Sequence, residues 1–403
     1  LTGVPQSQIV EAAQIYASHK PASIVCGDGI TQHSHGSDNV LAIADLAMLT
    51  GNIGRPSAGV YPLGGLNNGQ GACDMGVMPD LYPGYQVIAS KANKEKLETA
   101  WDCSLEATPG LTLTEILQAI TQGQIKALYV IGSDAVLDSR RLEGLDFLVV
   151  QGMFPSKVSQ LADVILPATS FVEKEGTFTS AERRVQLVRQ AIKPIGSAKP
   201  DWWIICQLAQ KLGGRGFDFN DPSQIMKEIT TLVPIYRGIS YQRLEEGGLQ
   251  WPCVSSQHDG TPILYQQTFD GGKGRFTALE YKSSAELTDT DYPFILTTEP
   301  SLYYFHAGAM EVGLGEFSVL NGGVSVEINP VDATKLGISD GEEVRVVSRR
   351  GEVEARVKVA DVSPIGVVSM ALHFAQDVVN SVVDPVSKIP EYKVCAVRIE
   401  KNI

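Results

Sequence analysis

The sequence predicts an α/β chain, built on a mostly parallel, Rossmann-like sheet and followed by a small C-terminal β-barrel. Three observations predict it. Helical and strand patterns alternate through the first half, which implies a mostly parallel sheet covered on both faces. Two glycine-containing turns, Gly27 to His35 and Gly132 to Asp138, stand at the carboxyl ends of strands, where such sheets hold ligands. From about Tyr292 onward, short strands recur with tight turns between them, the pattern of a small barrel.

Taken in order, Val4 to His19 reads as a helix. Pro5 suits a first turn, and Ile9, Ala12, Ala13 and Tyr16 recur at helical spacing. Ala22 to Cys26 is a short apolar strand, turned by Gly27-Asp28-Gly29. Ser37 reads as the N-cap of the next helix, whose inner face is Val40, Leu41, Ala44, Ala47 and Met48. Gly51 to Tyr85 is rich in Gly, Pro and Asn and reads as one long loop, either functional or disordered. Thr112 and Glu115 give a capping-box signal for a helix to Thr121. Strands follow at Ile125 to Ile131, Phe147 to Val150 and Val164 to Leu166. A helix from Trp202 to Leu212 stops at Gly213-Gly214.

From about Phe217 to Glu286 the pattern weakens into a connector with a few short elements. The β-rich tail then supplies Pro293 to Thr297, Val324 to Ile328, Glu343 to Ser348, Glu352 to Val359 and Val367 to Met370, with turns at Asp340-Gly341 and Arg350-Gly351. The expected division is an α/β domain over 1–215, a connector over 216–290 and a barrel domain over 291–403.

Composition narrows the partners. Across 403 residues, 33 Lys and Arg face 46 Asp and Glu, a net charge of -13, which argues against nucleic acid and against anionic lipid. No apolar run reaches the roughly 18 residues of a membrane-spanning helix, so direct membrane insertion is not expected. Leu1 to Ser7 carries neither a basic nor an apolar export signal, and because the chain starts at Leu1 its natural N-terminus is expected upstream. Cys26, Cys73, Cys103, Cys206, Cys253 and Cys395 stand singly, without a C-x-x-C pair. They read as free thiols in a reducing, cytoplasmic setting, not as metal, cluster or disulfide sites.

Several motifs admit two readings each. Gly27-Asp28-Gly29-Ile30-Thr31-Gln32 follows a strand and precedes a helix, so its backbone N–H groups suit a phosphate; it also suits a plain tight turn. Asn67, Asn68 and Gln70 lie among glycines. Their amides match a heterocycle with mixed donor and acceptor edges, such as a pterin, or an exposed turn. His33 and His35, two apart, do not share a helix face and do not form a metal pair. His306 donates to a phosphate or caps a loop, and Glu182-Arg183-Arg184 is an anion site or an internal ion pair. No nucleophilic triad or catalytic carboxylate pair stands out.

The order of longer segments is more specific. Gly29 to His33 (GITQH), Leu46 to Pro56 (LAMLTGNIGRP), Asn67 to Gly76 (NNGQGACDMG), Leu161 to Ala168 (LADVILPA), Glu173 to Phe178 (EKEGTF), Gly248 to Pro252 (GLQWP), Val326 to Pro330 (VEINP) and Lys388 to Val397 (KIPEYKVCAV) run collinearly over nearly the whole chain. Together they resemble the C-terminal part of the formate dehydrogenase large subunit, a molybdopterin oxidoreductase.

That resemblance implies half of a formate dehydrogenase-like α/β domain and a six-stranded type of barrel. It implies a bis-molybdopterin guanine dinucleotide cofactor carrying molybdenum or tungsten. A [4Fe-4S] cluster and the metal ligand would lie upstream of Leu1. It further implies an iron–sulfur or flavin electron-transfer subunit as partner and a small-molecule substrate. By the matching motifs, cofactor contacts fall on Gly29, Gln32, His33, Asn68, Gln70, Gly71, Gly132, Ser133, Gln151, His306, Gly308, Asn380, Tyr392 and Lys393.

The departures are specific too. The family's catalytic arginine, which would hold a carboxylate by a bidentate pair, is Gly64 here, and a nearby glutamine is Leu66. Three nucleotide-contact motifs read Gly132-Ser133-Asp134-Ala135, Gln151 to Val158, and Thr297-Thr298-Glu299-Pro300 with His306 to Glu311. Glu299 is repulsive to a pyrophosphate. Two expectations follow. One is an oxidoreductase component whose substrate differs from formate. The other is a non-catalytic scaffold, resembling the large iron–sulfur subunit of respiratory complex I.

Overall fold

A computed structural model describes residues 2–132, 139–156, 158–269, 271–300 and 323–402. The fold is mixed α/β, with parallel sheets in the first half and a closed barrel at the end.

Helix α1 (Gln6–Ser18) leads to strand β1 (Ser23–Cys26), the short helix α2 (Asp28–Thr31) and helix α3 (Gly36–Leu49). β1 pairs in parallel with β2 (Gly59–Pro62). Helix α4 (Gly69–Asp74), the antiparallel pair β3 (Leu81–Tyr82) and β4 (Gln86–Val87), and helices α5 (Lys91–Trp101) and α6 (Leu113–Thr121) follow. A second parallel sheet, in the order β5-β6-β7, comprises β5 (Ala127–Ile131), β6 (Phe147–Gly152) and β7 (Val164–Pro167). An antiparallel sheet in the order β10-β9-β8 joins β8 (Gly176–Thr179), β9 (Arg184–Val188) and β10 (Leu249–Gln250). Helices α7 (Asp201–Lys211), α8 (Pro222–Leu232) and α9 (Tyr241–Leu244) lie between β9 and β10 in the chain.

The barrel strands are β11 (Phe294–Glu299), β12 (Ser325–Ile328), β13 (Glu343–Ser348), β14 (Glu352–Val359), β15 (Val367–Ala371) and β16 (Cys395–Lys401). Helix α10 (Pro330–Leu336) follows β12. The strands close in the order β11-β15-β12-β14-β13-β16, and β16 pairs back onto β11. Alternate residues point inward, as pleating requires: Phe294, Leu296 and Thr298 on β11, Ala355 and Val357 on β14. Val326, Val344, Val346, Val368 and Val397 meet there with Leu296 and Met370. Each such side chain contributes roughly 1.5–3 kcal/mol by leaving water.

The structure departs from the sequence reading in several places. In the first half, parallel strands occur in two separate sheets, not one. Gly51 to Tyr85 is not a single loop, because β2, α4 and β3 lie within it. His35, not Ser37, precedes α3, and Ser37 is its second residue. Of the expected inner face of α3, Ala47 is buried, while Val40 and Leu41 are exposed. The connector contains α8, an eleven-residue helix whose Asp221 cap accepts from Ser223 N at 2.8 Å. That N-cap and Pro222 at the first turn are ordinary start signals. The capping box of α6 is present: Glu115 Oε2 accepts from Thr112 N at 2.8 Å and from its hydroxyl at 2.7 Å.

Candidate molybdopterin-facing site

The turn after α2 meets the chain that precedes β16. Lys393 N donates to Gln32 O at 3.3 Å, tying the two segments backbone to backbone. Gln32 closes the one-turn helix α2 by donating from its N to Asp28 O. His33 Nε2 lies 2.9 Å from Gly29 O, so the imidazole folds back over the same turn.

Glu391 is the hub of this junction and is fully buried. Its Oε1 accepts from the Ser34 hydroxyl at 3.0 Å, and its Oε2 accepts from Asn380 Nδ2 and from Ala285 N, both at 3.1 Å. His33 Nδ1 is 3.9 Å from Oε1. Beside it, Tyr392 O accepts from the Thr298 hydroxyl at 3.0 Å, and Lys393 Nζ donates to Thr298 O at 2.5 Å. Burial pushes the Tyr392 phenol up. Burial pulls the Lys393 ammonium down, against the pull of the Asp28 and Glu299 charges. The Gln32 Oε1 atom is buried with no hydrogen-bond partner.

A second cluster surrounds Asp74, at the end of α4 and fully buried. Its Oδ1 accepts from Gln70 Nε2 at 2.9 Å and the Tyr85 hydroxyl at 2.8 Å. Its Oδ2 accepts from the Tyr236 hydroxyl at 2.6 Å and the Trp251 indole at 2.7 Å. Burial, with the Asp74 charge alongside, pushes both tyrosines well above the usual phenol range. Asn68 Oδ1 accepts from Thr179 N at 2.8 Å. Gly71 is needed there, since a Cβ would stand 2.2 Å from that same Asn68 oxygen. Within this stretch Gln70, on the first turn of α4, is the side chain held by the buried carboxylate.

Elsewhere, Gly132 ends β5 in a left-handed conformation, φ 72°, and donates to Gln151 O at 2.9 Å. Gln151 is buried, accepts from the Tyr129 hydroxyl and donates to Asp201 Oδ1 at 2.7 Å. Gly64 is exposed, with open space where a Cβ would stand. Arg183 is not an exposed anion site: its guanidinium donates to the carbonyls of Trp251, Thr261 and Pro262. Ser133, His306 and Gly308 lie outside the described residues.

The structure thus brings Gly29, Gln32, His33, Asn380, Tyr392 and Lys393 together, bonds Gln70 to Asp74, and sets Asn68 against Gly71 and Thr179. The sequence reading did not single out Glu391 or Asp74. Among the described residues no group of three or more His, Cys, Asp and Glu is placed to hold a metal ion. No helix among them is long and apolar enough to cross a membrane.

Comparison with known proteins decides the family. Residues 9–211 match the molybdopterin oxidoreductase family, and residues 294–396 match the molybdopterin dinucleotide binding domain. The chain belongs to the molybdopterin oxidoreductases. Within that family it is 43% identical over 415 residues to the F420-dependent formate dehydrogenase subunit alpha of Methanocaldococcus jannaschii, covering 100% of this chain and 61% of that protein. It is 37% identical to formate dehydrogenase H of Escherichia coli, covering 99% of this chain and 58% of that protein. The chain therefore spans about three fifths of these relatives. Acetylene hydratase from Pelobacter acetylenicus shares the fold, with a TM-score of 0.68 at 16% identity, over 99% of this chain and 63% of that one.

Proposed function

We propose that this molybdopterin oxidoreductase chain is the C-terminal part of a formate dehydrogenase-like component that holds a bis-pterin guanine dinucleotide with molybdenum or tungsten. One observation carries the reading: the Gln32 amide oxygen is buried and unpartnered, in a turn hydrogen-bonded to Lys393 and tied through Ser34 and Glu391 to Asn380. A buried acceptor without a donor costs about 1–3 kcal/mol. A pterin edge supplies N–H donors, so the residues present fit the group.

Gln32 would accept from the pterin ring. Lys393, desolvated and with only one ammonium proton directed to Thr298 O, would face its anionic part. When bound, the group would supply the electron transfer from a small substrate toward an iron–sulfur chain. An iron–sulfur or flavin subunit is the partner this reading calls for, since relatives are named as alpha subunits. The cytoplasm is the compartment it suits.

Gly64 gives the second reading its support. Without a guanidinium there, this chain offers no bidentate clamp at that position for a substrate carboxylate. The proposal is therefore a substrate other than formate, and a retained scaffold is the alternative.

Gln32→Leu tests the site. It removes an unpartnered acceptor, so the cofactor-free protein should be as stable as wild type or more so. Pterin per chain should fall at the same time. Unchanged pterin content in Gln32→Leu would refute the assignment.

A further inference from the structure

We propose that Glu391 is the positioning residue that holds the cofactor-facing side chains of both halves of the chain in one arrangement. This rests on the cofactor reading above. A fully buried carboxylate is costly to keep unless its hydrogen bonds are complete. Glu391 has them from three separate segments: Ser34 after α2, Ala285 before the barrel, and Asn380 between β15 and β16. None of these donors is close to another in sequence, so the carboxylate acts as a cross-link between segments rather than as a local cap.

What it joins is specific. Gln32 and His33 immediately precede Ser34, Tyr392 and Lys393 immediately follow Glu391, and Asn380 is bonded to it directly. The carboxylate is thus bonded to Asn380 and, through Ser34 and its own chain neighbours, adjacent to four further candidate contacts. Its two oxygens face opposite sets of donors, the Ser34 hydroxyl on one side and Asn380 and Ala285 on the other. Only a carboxylate accepts on both sides. An amide of the same shape must turn its NH2 toward one of them.

Asp332 is the matched control. It is buried on helix α10 beside the barrel, but its partners are Lys335 Nζ at 3.0 Å and Gly366 N at 2.6 Å. Gly366 precedes β15, whereas Ala371 ends it on the side where Glu299 and Thr298 meet Lys393. Asp332 thus lies toward the other end of the barrel.

The experiment measures release of pterin, by fluorescence after oxidation, from anaerobically purified protein of full natural length. Pterin is normalised to folded protein. Glu391→Gln should release it about tenfold faster or more, the cost usual for residues that orient direct ligands. Ser34→Ala, which leaves the carboxylate in place, should give a smaller acceleration and keeps the test open if Glu391→Gln does not fold. Asp332→Asn should lower the unfolding midpoint without changing release. Combined with Gln32→Leu, Glu391→Gln should be less than additive, because both act through the same contact. Wild-type release rates in folded Glu391→Gln and Ser34→Ala, or equal acceleration by Asp332→Asn, would overturn the proposal while leaving the cofactor reading intact. Wild-type protein without pterin would overturn both.

Discussion

Asp384, in the barrel half, accepts from Ser37 at the start of α3: its Oδ2 takes the Ser37 N–H at 3.1 Å and its Oδ1 takes the Ser37 hydroxyl at 2.8 Å. The first N–H groups of a helix lack intrahelical partners and carry partial positive charge. A carboxylate 347 residues away in sequence satisfies one of them here and locks the barrel half onto the first half. The same carboxylate also accepts from Ser387 N at 2.6 Å and Val386 N at 3.0 Å.

This geometry sets a pH dependence. Burial pushes the Asp384 carboxyl up, but hydrogen bonds from Ser387 and Ser37 outweigh it and hold it at about 2. A folded value below the unfolded one, about 3.9, means the stabilisation is complete above pH 4 and lost as pH falls toward 2. Asp384→Asn should cost about 1–2 kcal/mol at neutral pH. The gap from wild type should narrow between pH 4 and 2 in urea unfolding. A constant gap would refute the assignment.

Asp74→Ala strips four donors of their acceptor, two of them from Tyr236 and Trp251. It should destabilise the protein by about 3 kcal/mol, since buried donors would be left unmade. The tyrosine hydroxyls should titrate at lower pH in the variant, as burial and the carboxylate together now hold them up. Ultraviolet titration of Tyr85 measures that change.

Gly71→Ala places a methyl 2.2 Å from Asn68 Oδ1, which is bonded to Thr179 N. Overpacking of this kind costs about 1–3 kcal/mol. The unfolding midpoint should fall accordingly, and a midpoint equal to wild type would show that Asn68 relaxes freely.

Gly64→Arg meets no atom within 4 Å of the new Cβ. Its stability should match wild type within about 0.5 kcal/mol, as for most exposed substitutions. Formate turnover should appear in cofactor-loaded protein, because the guanidinium restores a bidentate partner for the carboxylate. A stable, loaded variant without turnover would favour the scaffold reading.

The barrel was largely legible in the sequence. Strands with one buried face alternate, and β13 and β14 fall at the expected residues, Glu343–Ser348 and Glu352–Val359. β16 escaped that reading because it opens with three consecutive buried residues, Cys395, Ala396 and Val397, so alternation is lost. The collinear motifs located Gln32 and Lys393, and the structure adds that they touch. What the sequence hid were the buried acids. Glu391 meets Ser34 across 357 residues, and Asp74 meets Tyr236 across 162. No local pattern distinguishes such a carboxylate from a solvated one. The same limit applies to Gln70 and Gln151, whose amides are engaged by Asp74 and Asp201.

Cofactor content tests the central claim most directly. Full-length protein purified without air should carry near-stoichiometric molybdenum or tungsten by mass spectrometry, with two pterins per chain by fluorescence after oxidation. A well-folded protein with neither metal nor pterin would contradict the account and leave a family scaffold in its place.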